Sequence, residues 1–207
     1  MRDRLARIHD RDIFLERAES EVRRAQRYGR TLTALMLAVD GRPAIVKRYG
    51  RAWLELLMDI IGLICRENLR DPDILGRHNE HVLAIVLPEA GEASGVQLAA
   101  RLIGGLSAIR LPTANGELAF TVSAGVAATV GEVAELDHIL RNAEDQLKAA
   151  QAAGGHQVKG CFVGDRREHL DEALARLGRR RTDPDEVTQA VELTREELDV
   201  LLKRRVE

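Results

Sequence analysis

The chain is short of aromatic residues and of cysteine. Phe, Trp and Tyr make up 3% of its 207 residues, so a folded core must be built mainly from Leu, Ile, Val and Ala. Its two cysteines, Cys65 and Cys161, are too few for a disulfide framework or a cysteine zinc site. Cys65 lies in the apolar run LLMDIIGLICREN, which indicates a core residue.

Long hydrophobic runs are also missing. No stretch reaches the roughly 18 apolar residues of a membrane span, and residues 1–12 lack the apolar segment of a signal peptide. The net charge of -2 provides no overall field for nucleic acid. The arginines at 179–181 lack aromatic neighbours and are interpreted as a solvated linker. We therefore expect a soluble, cytoplasmic protein that binds neither membrane nor nucleic acid.

Apolar periodicity predicts helices and strands in alternation over the first 163 residues. Ile13, Phe14, Ala18, Val22 and Ala25 form one stripe of the first helix. The predicted helices are 12–28, 51–68, 92–109 and 134–155, and the predicted strands are 31–39, 73–77, 82–87, 118–128 and 156–163. The expected fold class is α/β (α+β), with a central mixed sheet of about five strands flanked by helices.

The turn between the two hairpin strands carries two histidines and a carboxylate, in the string His78-Asn79-Glu80-His81. Such a cluster could bind a metal if the turn brought the imidazoles together. On regular strands, however, residues three apart face opposite sides. No further ligand lies nearby in the sequence, so we do not expect a metal site.

Several strings in the first 160 residues resemble the GGDEF domain of diguanylate cyclases. They are DRLARIHDRDIF, LMLAVDGRPAIVKRYG, FTVSAGVA and AEDQLKAAQAAGGHQV, together with the hairpin DILGRHNEHVLAIVLPEA. The resemblance implies a nucleotide-cyclase-like GGDEF fold for residues 1–160. Residues 161–207 are then a C-terminal helical tail, because their composition becomes charged and amphipathic.

The positions that the resemblance assigns to the active site differ from the family pattern. In the family, acidic residues that hold divalent metal on the triphosphate fall on Ala38 and His81 of this chain. The guanine-reading Asn falls on Val46, whereas its acidic partner falls on Glu55, the one plausible survivor. The complete set of former active-site positions is Ala38, Asp40, Val46, Glu55, Asn79, Glu80, His81 and Val82. The resemblance therefore implies a degenerate domain without cyclase activity, metal or other cofactor.

A second family site is a pattern R-x-x-D before the signature, which binds the product cyclic di-GMP. Here Arg70 and Asp73 match it, and Arg101 matches an arginine that the family adds from the next helix. Arg77, at the arginine of the hairpin pattern, joins the ligand-binding candidates. With 27 arginines in the chain, the pattern could also arise by chance. In that case Arg70 favours a helix dipole and Asp73 forms an ordinary turn.

The tail contains LTREELDVLL, which resembles a short motif of flagellar switch proteins that docks response regulators. Thr194 and Glu197 fit a capping box, so a helix is predicted over 194–204. We interpret this segment first as an amphipathic helix that packs on its own domain or on a twin in a homodimer. The alternative is a docking helix for an unidentified signalling protein.

Three functions compete. The leading hypothesis is an inactive GGDEF-like receptor that binds cyclic di-GMP at Arg70, Asp73 and Arg101 and transmits to a protein partner. The alternative is a protein-interaction scaffold that needs no nucleotide and uses the tail or the 51–68 helix. A less favoured third is an enzyme with an altered site around Glu55, Glu80 and His81.

Overall fold

A computed structural model describes residues 8–113, 116–130 and 135–163. The helices are α1 (Arg11–Tyr28), α2 (Arg42–Tyr49), α3 (Arg51–Asn68), α4 (Glu92–Ser107) and α5 (Leu136–Ala152). The strands are β1 (Thr31–Val39), β2 (Ile74–Asn79), β3 (Val82–Pro88), β4 (Arg110–Thr113), β5 (Gly116–Ala119), β6 (Val122–Val130) and β7 (Val158–Val163). The predicted helix 194–204 lies outside the described residues.

Five strands form the central sheet in the order β2-β3-β1-β6-β7. The pairs β2–β3, β3–β1 and β1–β6 are antiparallel, whereas β6–β7 is parallel. The mixed sheet flanked by helices that the sequence predicts is therefore confirmed. A separate two-stranded hairpin, β4–β5, lies outside this sheet.

Strand β1 is buried on both faces, which explains its unbroken apolar sequence. Leu35 and Leu37 belong to the core beneath α3 and α4. Ala34 and Met36 belong to a second core beneath α1 and α5. Because alternate residues of a strand point to opposite faces, this single strand contributes to both cores.

Several predicted details are wrong. Helix α2 is not anticipated, because its eight residues are too few to show a helical period. The predicted strand 118–128 is divided, since β5 ends at Ala119 in the separate hairpin and β6 begins at Val122. Ile13 is 45% exposed and does not share the buried stripe of α1. The last predicted strand, 156–163, by contrast agrees with β7 at Val158–Val163.

Gly125 of β6 lies directly against the backbone of α5. A Cβ at this position would be 2.0 Å from the carbonyl oxygen of Ala143 and 2.2 Å from the amide nitrogen of Leu147. A helix backbone cannot yield as a flexible side chain can. The sheet and α5 therefore approach each other only because residue 125 has no side chain.

We predict that Gly125→Ala lowers the free energy of unfolding by about 3 kcal/mol, because α5 must move off the sheet. Gly104 in α4 is the matched control, since a Cβ there meets nothing within 4 Å. Gly104→Ala should raise stability by about 0.5–1 kcal/mol through helix propensity. Urea unfolding of both variants checks the prediction, and equal effects would contradict it.

Candidate functional site

The β2–β3 hairpin carries a candidate site at each end. At its tip, His78 and Asn79 end β2, and Glu80 and His81 connect it to β3; at its base, residues 69–73 connect α3 to β2. Strand β2 has six residues, so the two ends are about 20 Å apart. The two sites therefore share no side chain and can be considered separately.

A cavity of about 470 Å³ lies between the hairpin tip and the start of α3. Across it, Arg51 Nη2 donates to Glu80 Oε2 at 2.5 Å. The same guanidinium forms a longer ion pair with Glu55, at 3.8 Å. Arg77 Nη2 donates to Asp59 Oδ1 at 2.6 Å. Carboxylates of the chain itself thus neutralise Arg51 and Arg77 in this cavity.

The placement of Arg77 corrects one of the ligand-binding candidates. Arg77 lines the tip cavity together with Glu80, and the structure does not bring it to Asp73 at the hairpin base. The reason is the extended conformation of β2, which carries residue 77 about 13 Å away from residue 73. Its role in the structure is to pair with Asp59 of α3.

His78 and His81 each have a buried Nδ1 atom that finds no hydrogen-bond partner in the part of the chain that the structure describes. Burial lowers the pKa of His78 below its usual 6.5; the carboxylate of Glu144 opposes this shift and Arg11 adds to it. His81 Nε2 is 3.8 Å from the carboxylate of Glu80. Within residues 8–113, 116–130 and 135–163, no three His, Cys, Asp or Glu side chains converge as metal ligands.

Residues at the end of β1 have structural partners. Ala38 is buried in the core beneath α1 and α5. Asp40 accepts hydrogen bonds from Thr121 Oγ1 at 2.9 Å, Ser123 Oγ at 2.8 Å and the His156 amide at 2.9 Å. Both carboxylate oxygens are therefore engaged, and they connect β1 to β6 and to the loop before β7.

The other former active-site positions have ordinary roles. Asn79 Oδ1 accepts from the His81 amide at 2.8 Å and shapes the tip turn. Val82 is 7% exposed and packs in the core, whereas Val46 on α2 is 38% exposed. These side chains offer no charge to a ligand.

The base of the hairpin is a tight turn closed by Arg70 and Asp73. The Asp73 amide donates to the Arg70 carbonyl at 3.2 Å, and the Arg70 amide donates to Asp73 Oδ2 at 2.8 Å. Burial raises the pKa of the Asp73 carboxyl, although the Arg70 amide and the charges of Arg70 and Arg66 oppose the shift. The ordinary turn that the sequence offers as the alternative to a ligand site is thus present, and it fixes the Asp73 carboxylate against the Arg70 backbone.

Two guanidinium groups lie near this turn. Arg70 is exposed, and its guanidinium forms no hydrogen bond with any residue in the described ranges. Arg101 of α4 extends to the end of α3, where its Nη2 is 3.5 Å from the Asn68 carbonyl oxygen. Arg101 thus reaches the end of α3, two residues before Arg70, whereas Asp73 is buried in the turn.

A second cavity, of about 550 Å³, lies on the α1 side of the same turn. His9, Arg17 and Arg66 line it, and the sequence pattern singles out none of them. Burial lowers the pKa of His9, and the charges of Arg17 and Arg66 lower it further. Of the three, only Arg66 has a sequence signal, because it is a charged residue that directly follows the apolar run of α3.

Comparison with known proteins identifies the fold family. The family described as diguanylate cyclase, GGDEF domain, matches residues 1–157. This chain belongs to the GGDEF family. The domain is 26% identical over 160 residues to the response regulator PleD of Caulobacter vibrioides. The aligned region covers 76% of this chain and 35% of PleD, so this chain spans about a third of that relative's length.

Solved GGDEF structures share the fold of this domain. The GGDEF domain of DgcB from Caulobacter crescentus, solved in complex with c-di-GMP, has a TM-score of 0.65 at 18% identity, covering 74% of this chain and 88% of that chain. The diguanylate cyclase SiaD from Pseudomonas aeruginosa, solved with its activator SiaC, has a TM-score of 0.69 at 21% identity, covering 74% and 59%. At these identities the likeness supports the fold alone.

Among the helices of the GGDEF domain that the structure describes, none is long and apolar enough to cross a bilayer.

The buried His78 predicts a pH dependence of stability. Because its folded-state pKa lies below the unfolded value of 6.5, its contribution is complete above pH 6.5 and is lost as the pH falls through the folded pKa. His78→Gln should therefore reduce the loss of stability of this GGDEF domain between about pH 7.5 and about pH 5.5. Urea unfolding at both pH values measures the difference.

His138→Gln is the control, since His138 is exposed on α5. This variant should retain the wild-type pH dependence. Part of the pH dependence of stability should remain in His78→Gln, because burial also lowers the pKa of His9. A His78→Gln curve that matches wild type would contradict the prediction.

Proposed function

We propose that this GGDEF domain does not synthesise cyclic di-GMP but binds it as a receptor. The observation that carries the proposal is the contrast between the two ends of the β2–β3 hairpin. At the tip, Arg51 and Arg77 are neutralised by carboxylates of the same chain. At the base, the guanidinium of Arg70 is exposed beside Asp73.

The chemistry of the tip argues against cyclase activity. A divalent cation on a triphosphate needs hard oxygen ligands. Ala38 supplies none, and both oxygens of Asp40 already accept hydrogen bonds from the fold. Glu80 adds negative charge to a turn that would have to approach phosphate. The tip therefore disfavours magnesium-bound GTP, and the proposal includes no metal or other cofactor.

The chemistry of the base suits a guanine nucleotide. A guanidinium can form two parallel hydrogen bonds to phosphate or to a guanine edge. Asp73 is 9% exposed and uses Oδ2 for the turn; its Oδ1 accepts no hydrogen bond from the described residues, and it is the atom that we assign to guanine N–H groups. Arg101 adds a second cation from α4. One turn and one helix thus present both charges to the same ligand.

Related structures support the ligand and the kind of partner. The DgcB domain was solved with c-di-GMP, and SiaD with a protein activator. By analogy, cyclic di-GMP binding at the turn would control an unidentified signalling protein. The tail helix predicted over 194–204 is the candidate contact for that protein.

A nucleotide-independent scaffold is the second candidate. The exposed apolar side chains of Val46 on α2 and Leu56 on α3 favour it, because they offer a surface for another protein. An altered enzyme around Glu55, Glu80 and His81 is less favoured, since Arg51 pairs with both glutamates.

The receptor proposal predicts a loss of affinity in Arg70→Ala. Calorimetry of the full chain with cyclic di-GMP should show binding to wild type and at least about tenfold weaker binding to the variant, because charge-assisted hydrogen bonds are lost. Arg70→Lys should fall between them, since it keeps the charge but not the fork.

Arg141→Ala, at an exposed arginine of α5, is the matched control and should bind like wild type. Equal affinity of Arg70→Ala and wild type would reject this site. No binding heat with wild type would favour the scaffold instead.

The inactivity proposal predicts that the purified chain forms no cyclic di-GMP from GTP with either Mg²⁺ or Mn²⁺. The reason is the missing oxygen ligand at Ala38 and the engaged carboxylate of Asp40. Product is measured by chromatography, with an active diguanylate cyclase as the positive control. Clear turnover by this chain would overturn the proposal.

A further inference from the structure

The cavity of about 550 Å³ beside α1 has no role in the proposed receptor function. Its volume lies within the range of small-molecule sites. Among the described residues that line it, neither Arg70 nor Arg101, the cations assigned to cyclic di-GMP, is present. The cations that line it are Arg17 of α1 and Arg66 of α3, with His9 beside them.

Arg66 is a largely buried cation without a close partner. Its side chain is 17% exposed, and its ion pair with Asp71 is long, at 3.7 Å. The Asp71 side chain is fully exposed, so water weakens this pair. Arg66 forms no second ion pair with any residue in the described ranges. Because a buried charge normally has close partners, this guanidinium points to an anion that is not part of the chain.

The fold holds the cationic side of the cavity in place. His9 exchanges two backbone hydrogen bonds with β2, at 3.0 and 2.9 Å. A Cβ on Gly76 of β2 would lie 2.4 Å from the Cβ of Phe14, so the glycine allows α1 to pack directly on this strand. Arg17 follows Phe14 by three residues on α1. Three separate segments therefore bring His9, Arg17 and Arg66 to one cavity.

Three carboxylates among the described residues also line the cavity, and two of them are engaged elsewhere. Glu21 pairs at 3.7 Å with Arg24, which lies outside the lining. Asp73 accepts the backbone hydrogen bond that closes the turn, at 2.8 Å. Asp71 is therefore the carboxylate that would compete with an added anion for Arg66.

We propose that this cavity binds a dianionic phosphate group between Arg17, Arg66 and His9. A guanidinium can form two parallel hydrogen bonds to phosphate, and two guanidinium groups from different helices can hold different oxygens. Ser20 of α1 adds a hydroxyl donor to the lining. The volume is far larger than a bare phosphate ion, which favours the phosphomonoester of a small organic molecule. The site does not use the Arg70 side chain, so this inference is independent of the proposed receptor function.

An NMR titration of the full chain, without cyclic di-GMP and at constant ionic strength, tests the inference. The probes are orthophosphate and ribose 5-phosphate. Both should shift the amide signals of residues 9, 17 and 66 to saturation, whereas ribose should shift none of them. Tighter binding of ribose 5-phosphate would support an organic phosphate as the occupant, and equal affinities would support free phosphate. The absence of saturable shifts with both phosphates would overturn the inference.

Substitutions on the two sides of the cavity should have opposite effects. Arg66→Gln should bind ribose 5-phosphate at least about tenfold more weakly, because charge-assisted hydrogen bonds are lost. Arg17→Gln should also weaken binding, and it keeps the test decisive if Arg66→Gln folds poorly, since Arg17 is exposed. Asp71→Asn should bind more tightly, because the competing carboxylate is removed. Arg23→Gln, at an exposed arginine of α1 outside the cavity, is the matched control and should bind like wild type.

The imidazole of His9 distinguishes this cavity from the turn. Burial is the largest cause of its lowered pKa; Arg17 and Arg66 lower the pKa further, and Asp10 opposes them. A bound dianion favours the imidazolium, so saturating ribose 5-phosphate should raise the pKa of His9. Arg70→Ala should leave the affinity for ribose 5-phosphate unchanged. An unchanged pKa of His9, or a loss of phosphate binding in Arg70→Ala but not in Arg66→Gln, would overturn the inference.

Discussion

The pairing of β1 with β3 on one side and β6 on the other is the constraint on which the rest of the structure depends. It holds Leu35 opposite both Ile85 and Val126, and so fixes the register of the three central strands. Because β1 is buried on both faces, a slip of one residue would exchange the two cores. The same pairing sets the direction of β3, and through it the position of the whole β2–β3 hairpin.

That hairpin separates two kinds of chemistry within one small element. At its tip, Arg51 and Glu80 of the same chain form an ion pair. At its base, the Asp73 carboxylate closes the turn, while the Arg70 side chain extends outward. The structural role of Asp73 therefore leaves the Arg70 guanidinium exposed. The turn interpretation and the ligand interpretation of the R-x-x-D pattern are compatible.

Much of the fold can be predicted from the sequence because its signals are local. The unbroken apolar run of β1 and the turn residues of the hairpin each identify an element independently of its neighbours. The separate β4–β5 hairpin is missed because its two strands have only four residues each, too few to show an alternating pattern. The partners of Asp40 could not be predicted, because they lie 81 to 116 residues away in the sequence. The position of Arg77 shows the same limit, since spacing in sequence does not reveal that β2 carries it to Asp59.

The most direct measurement of where nucleotide binds is an amide NMR titration of the full chain, first with cyclic di-GMP and then with GTP and Mg²⁺. Cyclic di-GMP should shift the amide signals of residues 68–74 and those around Arg101. GTP with Mg²⁺ should leave the signals of residues 78–82 unchanged. Shifts of the tip signals with GTP would contradict the proposal that the tip binds no nucleotide. The absence of shifts at the base with cyclic di-GMP would contradict the proposal that the base binds this ligand.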